Sequence, residues 1–170
     1  RMWYYCWSRK DDPAALHHCY AVSKDGLHWE KPNLGIREWK VTGSKDNNLI
    51  DIAFSITPMP WEQDPSMRFK TFVGGAGGGY HVSASPDGLR DWKRLSEKPI
   101  LHGGDVGLFG WDPLSSQYRA HVKVGADVTG LRRRAVGGSY TRDVLNWPVL
   151  RLIMAPDDID DRWAEPGTTH

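Results

Sequence analysis

The chain has 170 residues, and its 22 Lys and Arg against 21 Asp and Glu give a formal net charge of +1. Because the charge is close to zero and no block of like charge occurs, the composition lacks the basic field typical of proteins that bind nucleic acid. No run reaches the ~18 apolar residues of a membrane-spanning helix. We therefore expect neither nucleic acid nor a membrane as a partner.

Short apolar runs dominate the chain from its first residues. Nine Trp and 18 Gly are present, and runs rich in Val, Ile, Phe, Tyr and Trp alternate with clusters of Gly, Pro, Asp and Ser, whereas helical spacing hardly exceeds two turns. This pattern predicts an all-β fold. The predicted strands are Met2–Trp7, His18–Ser23, Ile50–Thr57, Phe69–Gly74, Tyr80–Ser85, Val106–Trp111, Tyr118–Val124, Ala135–Tyr140 and Val149–Met154.

The first two apolar runs carry the only two cysteines, Cys6 and Cys19. Two Cys exclude a disulfide-rich scaffold and a four-Cys zinc site. The polar stretch Ser8–Pro13 between the runs could close a hairpin that places the two thiols across from each other. A buried pair of free thiols is favoured over a disulfide, since free Cys is among the most buried residue types.

A turn motif then repeats along the chain. The stretch Ser23–Trp29, with the sequence Ser-Lys-Asp-Gly-Leu-His-Trp, returns at Ser85–Trp92 and more loosely at Thr141–Trp147, and the Asp residues are 62 and 56 positions apart. We call these three stretches the Asp-Gly turns. Asp and Ser side chains accept bonds from turn amides, Gly supplies a positive φ, and Trp is expected to pack between neighbouring units. A structural role is therefore predicted for Asp25, Asp87 and Asp143.

The strands around each Asp-Gly turn follow one order. A first strand leads through an Asp-Pro turn, at Asp64-Pro65 and Asp112-Pro113, to a second and a third strand, then to the Asp-Gly turn and a fourth strand. Four antiparallel strands repeated every 50 to 60 residues are typical of a β-propeller blade. The predicted blades cover approximately 1–46, 47–104 and 105–156, and 157–170 begins the next.

The motifs in Tyr20–Pro32 and Gly110–Pro113 resemble the five-bladed β-propeller glycoside hydrolases, the group that holds families 32 and 43. The turns also resemble the Asp boxes of six-bladed sialidases. The Asn-Asp-Pro-Asn-Gly, Arg-Asp-Pro and Glu-Cys motifs of family 32 are absent, so no catalytic residue is transferred by motif. The resemblance implies a glycosidase acting on an oligosaccharide or polysaccharide, and a secreted or periplasmic location.

Blade arithmetic predicts that the chain is a fragment, because it supplies about three of the five blades of such a ring. The resemblance implies that catalytic acids enter a central channel from the first strand of each blade. Glycosidic cleavage needs two facing carboxylates, one to protonate the leaving oxygen and one to attack or to activate water.

Three carboxylates near the starts of predicted first strands are the catalytic candidates. Asp105 ranks first, because Gly103 and Gly104 permit a ligand to approach closely; a turn-capping role is the alternative. Asp51 follows Asn47 and Asn48 at a possible sugar-binding mouth, and Asp158 stands for the acidic group Asp157–Asp161, with Glu165 beyond it. For these, solvated loop carboxylates are the alternative.

Candidate substrate-binding residues surround these positions. Rings stack on the apolar faces of sugars, and polar groups bind their hydroxyls. The candidates are Asn48, Trp61, His102 and Trp111. No spacing of His residues predicts a metal site, and no cofactor is expected. A carbohydrate-binding or protein-interaction propeller without catalysis is the alternative function.

Overall fold

The computed structural model describes residues 1–8, 12–128 and 130–163. The fold is all-β with three antiparallel sheets, which confirms the predicted class; neither a closed barrel nor a propeller is identified among the described strands. The strands are β1 Met2–Ser8, β2 Asp12–Ala21, β3 Thr57–Pro58, β4 Phe69–Gly74, β5 Ala76–Ser85, β6 Lys93–Arg94, β7 Leu101–Gly103, β8 Gly107–Asp112, β9 Gln117–Val128, β10 Leu131–Thr141 and β11 Arg151–Met154. A 3-10 turn covers Pro65–Met67, and the helix α1 covers Asp158–Trp163.

The sheets follow the chain in sequence. The first is the pair β1-β2, the second has the order β3-β4-β5-β6 with β7 on β5, and the third has the order β8-β9-β10-β11. Within the third sheet, strands that follow one another in the chain are paired. A short turn connects β8 to β9, and in it the carboxylate of Asp112 accepts the backbone N–H of Leu114 and the hydroxyl of Ser115. No helix in the described part of the chain is long and apolar enough to cross a bilayer.

Most predicted strands are confirmed, and one is wrong. The prediction for β4 matches its bounds. Strands β9 and β10 extend beyond theirs because their hairpin ladder continues towards the turn, and β5 begins earlier, where Ala76 pairs with Gly103 of β7. In the segment Ile50–Thr57 only Thr57 pairs in a sheet. Ser55 has a φ of 41°, and Ala53 donates its backbone N–H to the side chain of His18. These irregular bonds replace a strand ladder.

The second Asp-Gly turn shows how the motif works. Asp87 Oδ1 accepts the backbone N–H groups of Leu89 (2.8 Å) and Arg90 (3.1 Å), and Ser85 Oγ accepts the N–H groups of Asp87 and Gly88. Gly88 has a φ of 77°. The predicted structural role of the Asp, the Ser and the Gly is confirmed here.

The other two Asp-Gly turns are built alike. Asp25 accepts from the backbone N–H and the ring of His28 and from the N–H of Leu27, and these bonds hold the pKa of Asp25 well below its usual range. Asp143 accepts from the N–H of Leu145, with the hydroxyl of Thr141 in the place of Ser. All three aspartates are therefore fixed by their own turns.

Two Trp residues of the turns make local contacts. Trp29 is 40% exposed, and its indole N–H donates to the carbonyl of Gly26 within its own turn. Trp147 bonds to the carbonyl of Val144 and packs edge-on against Phe109 of the same sheet. The contacts described for these two rings stabilise their own turns and, for Trp147, the neighbouring sheet; their packing between blades stays a prediction.

The chain forms two compact units. The first consists of Arg1–Phe72 and Ser83–Arg94, and the second of Val73–Val82 and Leu95–His170. In the first, a core of Tyr20, Ile50 and Ala53 is packed by partly buried side chains that include Trp3. Among the residues of the second unit whose burial is described, the buried apolar ones are Tyr80, Val82, Ile100, Leu101, Phe109, Tyr118, Ala120, Val122 and Ala135.

The cysteines lie on β1 and β2 as predicted. Both are free thiols, with Cys19 buried and Cys6 exposed. The predicted pair of free thiols is confirmed, but the predicted burial is confirmed for Cys19 only.

Candidate functional site

The first unit contains a cavity of about 340 Å³ beside strand β2. Its walls are Leu16–His18 of β2, the loop Arg37–Val41, and the segment Leu49–Asp51. Two carboxylates, two imidazoles, two cations and one indole therefore surround a single space. Because seven side chains that can ionise, donate or stack line one space, we treat this cavity as the candidate site.

Backbone and amide bonds fix the walls of this cavity. Ile50 donates its N–H to the carbonyl of His18, which holds the third wall against β2. The Asn47 side-chain amide donates to the carbonyls of Arg37 and Ser44. Trp39 and Ser44 form an antiparallel bridge that closes the loop. Contacts between residues close in sequence thus hold the loop in place, and Asn47 connects its two ends.

Asp51 is the one predicted catalytic carboxylate that lines the cavity. Its Oδ1 atom lies 3.2 Å from Nη1 of Arg37, and its side chain is 35% exposed. Its backbone N–H donates to the carbonyl of Leu89, next to the second Asp-Gly turn. The guanidinium orients the carboxylate at the cavity wall, and Glu38 brings a second carboxylate to the same cavity.

The two adjacent histidines of β2 also line the cavity. His18 Nδ1 accepts the N–H of Ala53 at 3.0 Å, so the ring carries its proton on Nε2 in the neutral form. Burial lowers the pKa of His18, and Arg37 and His17 lower it further. His17 Nε2 is buried and has no hydrogen-bond partner among the described residues. The neutral imidazole of His18 is thus a hydrogen-bond donor at neutral pH.

Asp105 lies in the second unit and is bound to a lysine. Its carboxylate forms an ion pair with Lys123 Nζ while its side chain remains 65% exposed. The hydrogen bond from Lys123 holds the pKa of Asp105 below its usual range. A Cβ on Gly103 or Gly104 would collide with Val122 or with the carbonyl of Lys123. These glycines therefore admit the close approach of strand β9, and the predicted approach of a ligand stays a prediction.

The acidic group near the C-terminus forms the start of α1. Asp158 is exposed in the first turn of this helix, and Asp157 Oδ1 accepts the N–H of Ile159. The carboxylate of Asp160 accepts the N–H of Asp157. The side chain of Asp161 and all of Glu165 lie outside the described residues.

The four predicted substrate-binding residues do not line the cavity. The amide of Asn48 donates to the hydroxyl of Tyr4 and the carbonyl of Tyr20, which makes it a link between the first strands and the following loop. Trp61 is half exposed and His102 is exposed. Trp111 packs edge-on against Tyr118 at a ring distance of 4.9 Å.

The sequence did not predict His18, Arg37, Glu38 and Trp39 as site residues. The stretch Arg37-Glu38-Trp39-Lys40 combines a carboxylate, two cations and an indole in a run without turn chemistry, which is a weak signal of a binding loop. In the described part of the chain, no cluster of three or more His, Cys, Asp or Glu is arranged to hold a metal ion.

Comparisons of the chain with protein-family models, with curated proteins and with solved structures found no match.

Proposed function

We propose that the protein is a glycoside hydrolase-like β-propeller protein that binds an oligosaccharide or polysaccharide at the cavity around Asp51. One observation carries the proposal: two carboxylates, Asp51 and Glu38, line one cavity together with Arg37 and Trp39. Carboxylates and a guanidinium bind sugar hydroxyls, and an indole stacks on the apolar face of a sugar ring. The cavity volume, about 340 Å³, falls within the usual range of small-ligand sites.

The arrangement of strands and turns supports the propeller part of the proposal. In each of the three sheets a long strand leads directly into an Asp-Gly turn: β2 before Ser23, β5 at Ser85 and β10 at Thr141. The third sheet has four antiparallel strands in chain order, which is the order of a blade. A repeated unit of this kind is what a propeller requires.

For hydrolysis, the two carboxylates that line the cavity would have different catalytic roles. Asp51, oriented by Arg37, would attack the anomeric carbon or activate water, and Glu38 would protonate the leaving oxygen. Neutral His18 would donate a hydrogen bond to a sugar hydroxyl. A carboxylate separation near 5 Å would give retention of the anomeric configuration, and roughly 6.5 to 9.5 Å would give inversion.

A second candidate function is carbohydrate binding without hydrolysis. Arg37, Trp39 and Asp51 supply the same cavity with a guanidinium, an indole and a carboxylate, and these groups bind a sugar without cleaving it. The two functions share the cavity and differ in whether the bound sugar is cleaved.

The proposal is tested by glycan binding and by release of reducing ends. A panel of neutral and acidic oligosaccharides is titrated against the 170-residue chain, with Trp fluorescence or calorimetry as the readout. We expect Trp39→Ala and Asp51→Asn to weaken binding at least about tenfold, equivalent to ~1.4 kcal/mol. The matched controls Trp29→Ala and Glu30→Gln lie outside the cavity and should bind as the unmodified chain does.

Hydrolysis is then measured on the glycan that binds. Loss of cleavage in Asp51→Asn and Glu38→Gln with binding retained in Glu38→Gln supports the hydrolase, whereas binding without cleavage by the unmodified chain supports the second function. The cavity is the wrong site if Asp105→Asn abolishes binding and Asp51→Asn leaves it unchanged. Absence of binding to every glycan on the panel would contradict both functions.

A further inference from the structure

Two thiols face each other across the first pair of strands. Cys6 of β1 is opposite His17 of β2, and Tyr4 is opposite Cys19, so the two cysteines are diagonal neighbours on one face of the hairpin. Their sulfur atoms are 3.8 Å apart, within reach of an S–H···S contact. No step of the proposed carbohydrate chemistry uses them.

The surroundings of the two thiols are unequal. Cys6 is exposed, so a dissolved oxidant can reach its sulfur. Cys19 is 4% exposed, and burial followed by the proximity of Cys6 raises the pKa of the Cys19 thiol to about 12. An oxidant in solution reacts with a thiolate that it can reach, so the exposed Cys6 is the cysteine that is oxidised first. The buried Cys19 is shielded from the oxidant and lies close enough to attack the oxidised Cys6 sulfur, which is the role of a resolving cysteine.

The strand register indicates that a bond between these sulfurs would be easily reduced. Diagonal neighbours in an antiparallel pair are about 7 to 8 Å apart, beyond the usual Cα separation of a disulfide. Closing the S–S bond therefore requires the two strands to shift slightly. Strained and exposed disulfides have the higher reduction potentials that characterise labile bonds.

We propose that Cys6 and Cys19 form a reversible disulfide, in which a peroxide oxidises Cys6 and Cys19 resolves the product. First the Cys6 thiolate attacks one oxygen of hydrogen peroxide; an S–O bond forms, the O–O bond breaks, and hydroxide leaves. Cys19 then loses its proton and attacks the Cys6 sulfur; the S–S bond forms and the S–O bond breaks, with water as the leaving group. In sum, two thiols and one hydrogen peroxide give one disulfide and two waters.

The disulfide would tie β1 to β2 beside the cavity. His17, the cross-strand neighbour of Cys6, lines the cavity, as do Leu16 and His18 of the same strand. Oxidation thus restrains the strand that forms one cavity wall. This consequence follows from the strand pairing and holds whether or not the cavity binds a sugar.

Thiol counting and peptide mapping test the proposal. The full chain is treated with hydrogen peroxide under native conditions, and free thiols are counted with a maleimide before and after reduction with dithiothreitol. We expect loss of both thiols, a mass lower by two hydrogen atoms, and full recovery on reduction. Trypsin cuts after Arg9 and Lys10 and places the two cysteines in different peptides, so a linked pair of peptides identifies the intramolecular bond in the monomer.

Two single variants separate the roles of the thiols. In Cys19→Ser, Cys6 should stop at a sulfenic acid that dimedone traps; in Cys6→Ser, the buried Cys19 should keep its thiol under the same treatment. The proposal is overturned if the unmodified monomer retains both thiols, if it accumulates sulfinic acid on Cys6 without a linked peptide, or if the only disulfides join two chains. The measurement on the unmodified chain decides these outcomes even if a variant fails to fold.

Discussion

His18 couples the protonation of a single side chain to the stability of the first unit. Burial, Arg37 and His17 hold its folded-state pKa below 6.5, the ordinary value in the unfolded chain. Between these two pKa values the unfolded chain binds more protons, so the free energy of unfolding falls as the pH is lowered through about 6.5. The stability that neutral His18 provides is thus present above this pH.

We predict that His18→Gln, which retains an acceptor for the N–H of Ala53, reduces this pH dependence. At pH 7.5 the variant should be about 1 kcal/mol less stable, because a partly buried hydrogen bond is remade with poorer packing. The difference from the unmodified chain should narrow at pH 5.5. Urea unfolding at both pH values measures it, and a difference that stays constant with pH would contradict the linkage.

At the residue scale, local chemistry was predictable and cavity chemistry was not. The roles of Asp25, Asp87 and Asp143 depend on amides two and three residues further along the chain, so the motif alone predicts them. The roles of Arg37 and His18 depend on Asp51 and Ala53, which are 14 and 35 positions away. No local pattern contains such a separation.

The Asp-Gly turns allow a matched comparison between two elements with the same backbone. Gly26 and Gly88 have φ values of 78° and 77°, a region that side chains rarely adopt. A Cβ on Gly26 meets nothing within 4 Å, whereas on Gly88 it would lie 2.7 Å from the ring of Phe69. A side chain at either position therefore has the same unfavourable left-handed backbone, and only a side chain at Gly88 also clashes with a neighbour.

We predict that Gly26→Ala lowers the free energy of unfolding by about 1 kcal/mol, the usual cost of a left-handed residue with a side chain. Gly88→Ala should cost ~1 to 3 kcal/mol more, because the buried Phe69 ring must move. Equilibrium denaturation of the two variants gives the difference. Equal costs would show that Phe69 can shift freely and that the contact does not constrain the turn.

At the element scale, the error in Ile50–Thr57 has a clear cause. An apolar run predicts extended chain, but it does not decide which neighbour satisfies the backbone groups. Here His18 and Leu89 provide partners for Ile50, Asp51 and Ala53, and the segment becomes a cavity wall instead of a strand. Strands β9 and β10, by contrast, follow each other closely in the chain, so the backbone groups of each strand find hydrogen-bond partners in the other, as the predicted hairpin requires.

For the whole molecule, we predict a wide range of amide hydrogen-exchange rates. Strands β9 and β10 pair along eleven positions, and Ala120 and Val122 of β9 are fully buried. Between residues 31 and 46 the described backbone bonds are few, with the Trp39–Ser44 bridge among them. Amides in the centre of β9 and β10 should exchange at least about 100-fold more slowly than those of 31–46.

Exchange followed by mass spectrometry of peptides provides this measurement. Similar protection in both segments would mean that the loop Arg37–Val41 is held far more firmly than its bonds indicate. Glycan binding at the cavity should then be repeated in the same experiment, since a ligand that contacts Trp39 should slow exchange in this loop and leave β9 and β10 unchanged.

The sequence by itself determined the all-β class, the strand positions in the hairpins, and the bonding of the Asp-Gly turns. These features depend on alternation, turn residues and partners a few positions apart, which are all written in the local order of residues. Only the tertiary structure decided that Asp51 meets Arg37, that Gly103 and Gly104 admit β9, and that Glu38 and His18 share a cavity. The physical reason is that these contacts join segments far apart in the chain, and their geometry is set by the packing of the folded unit.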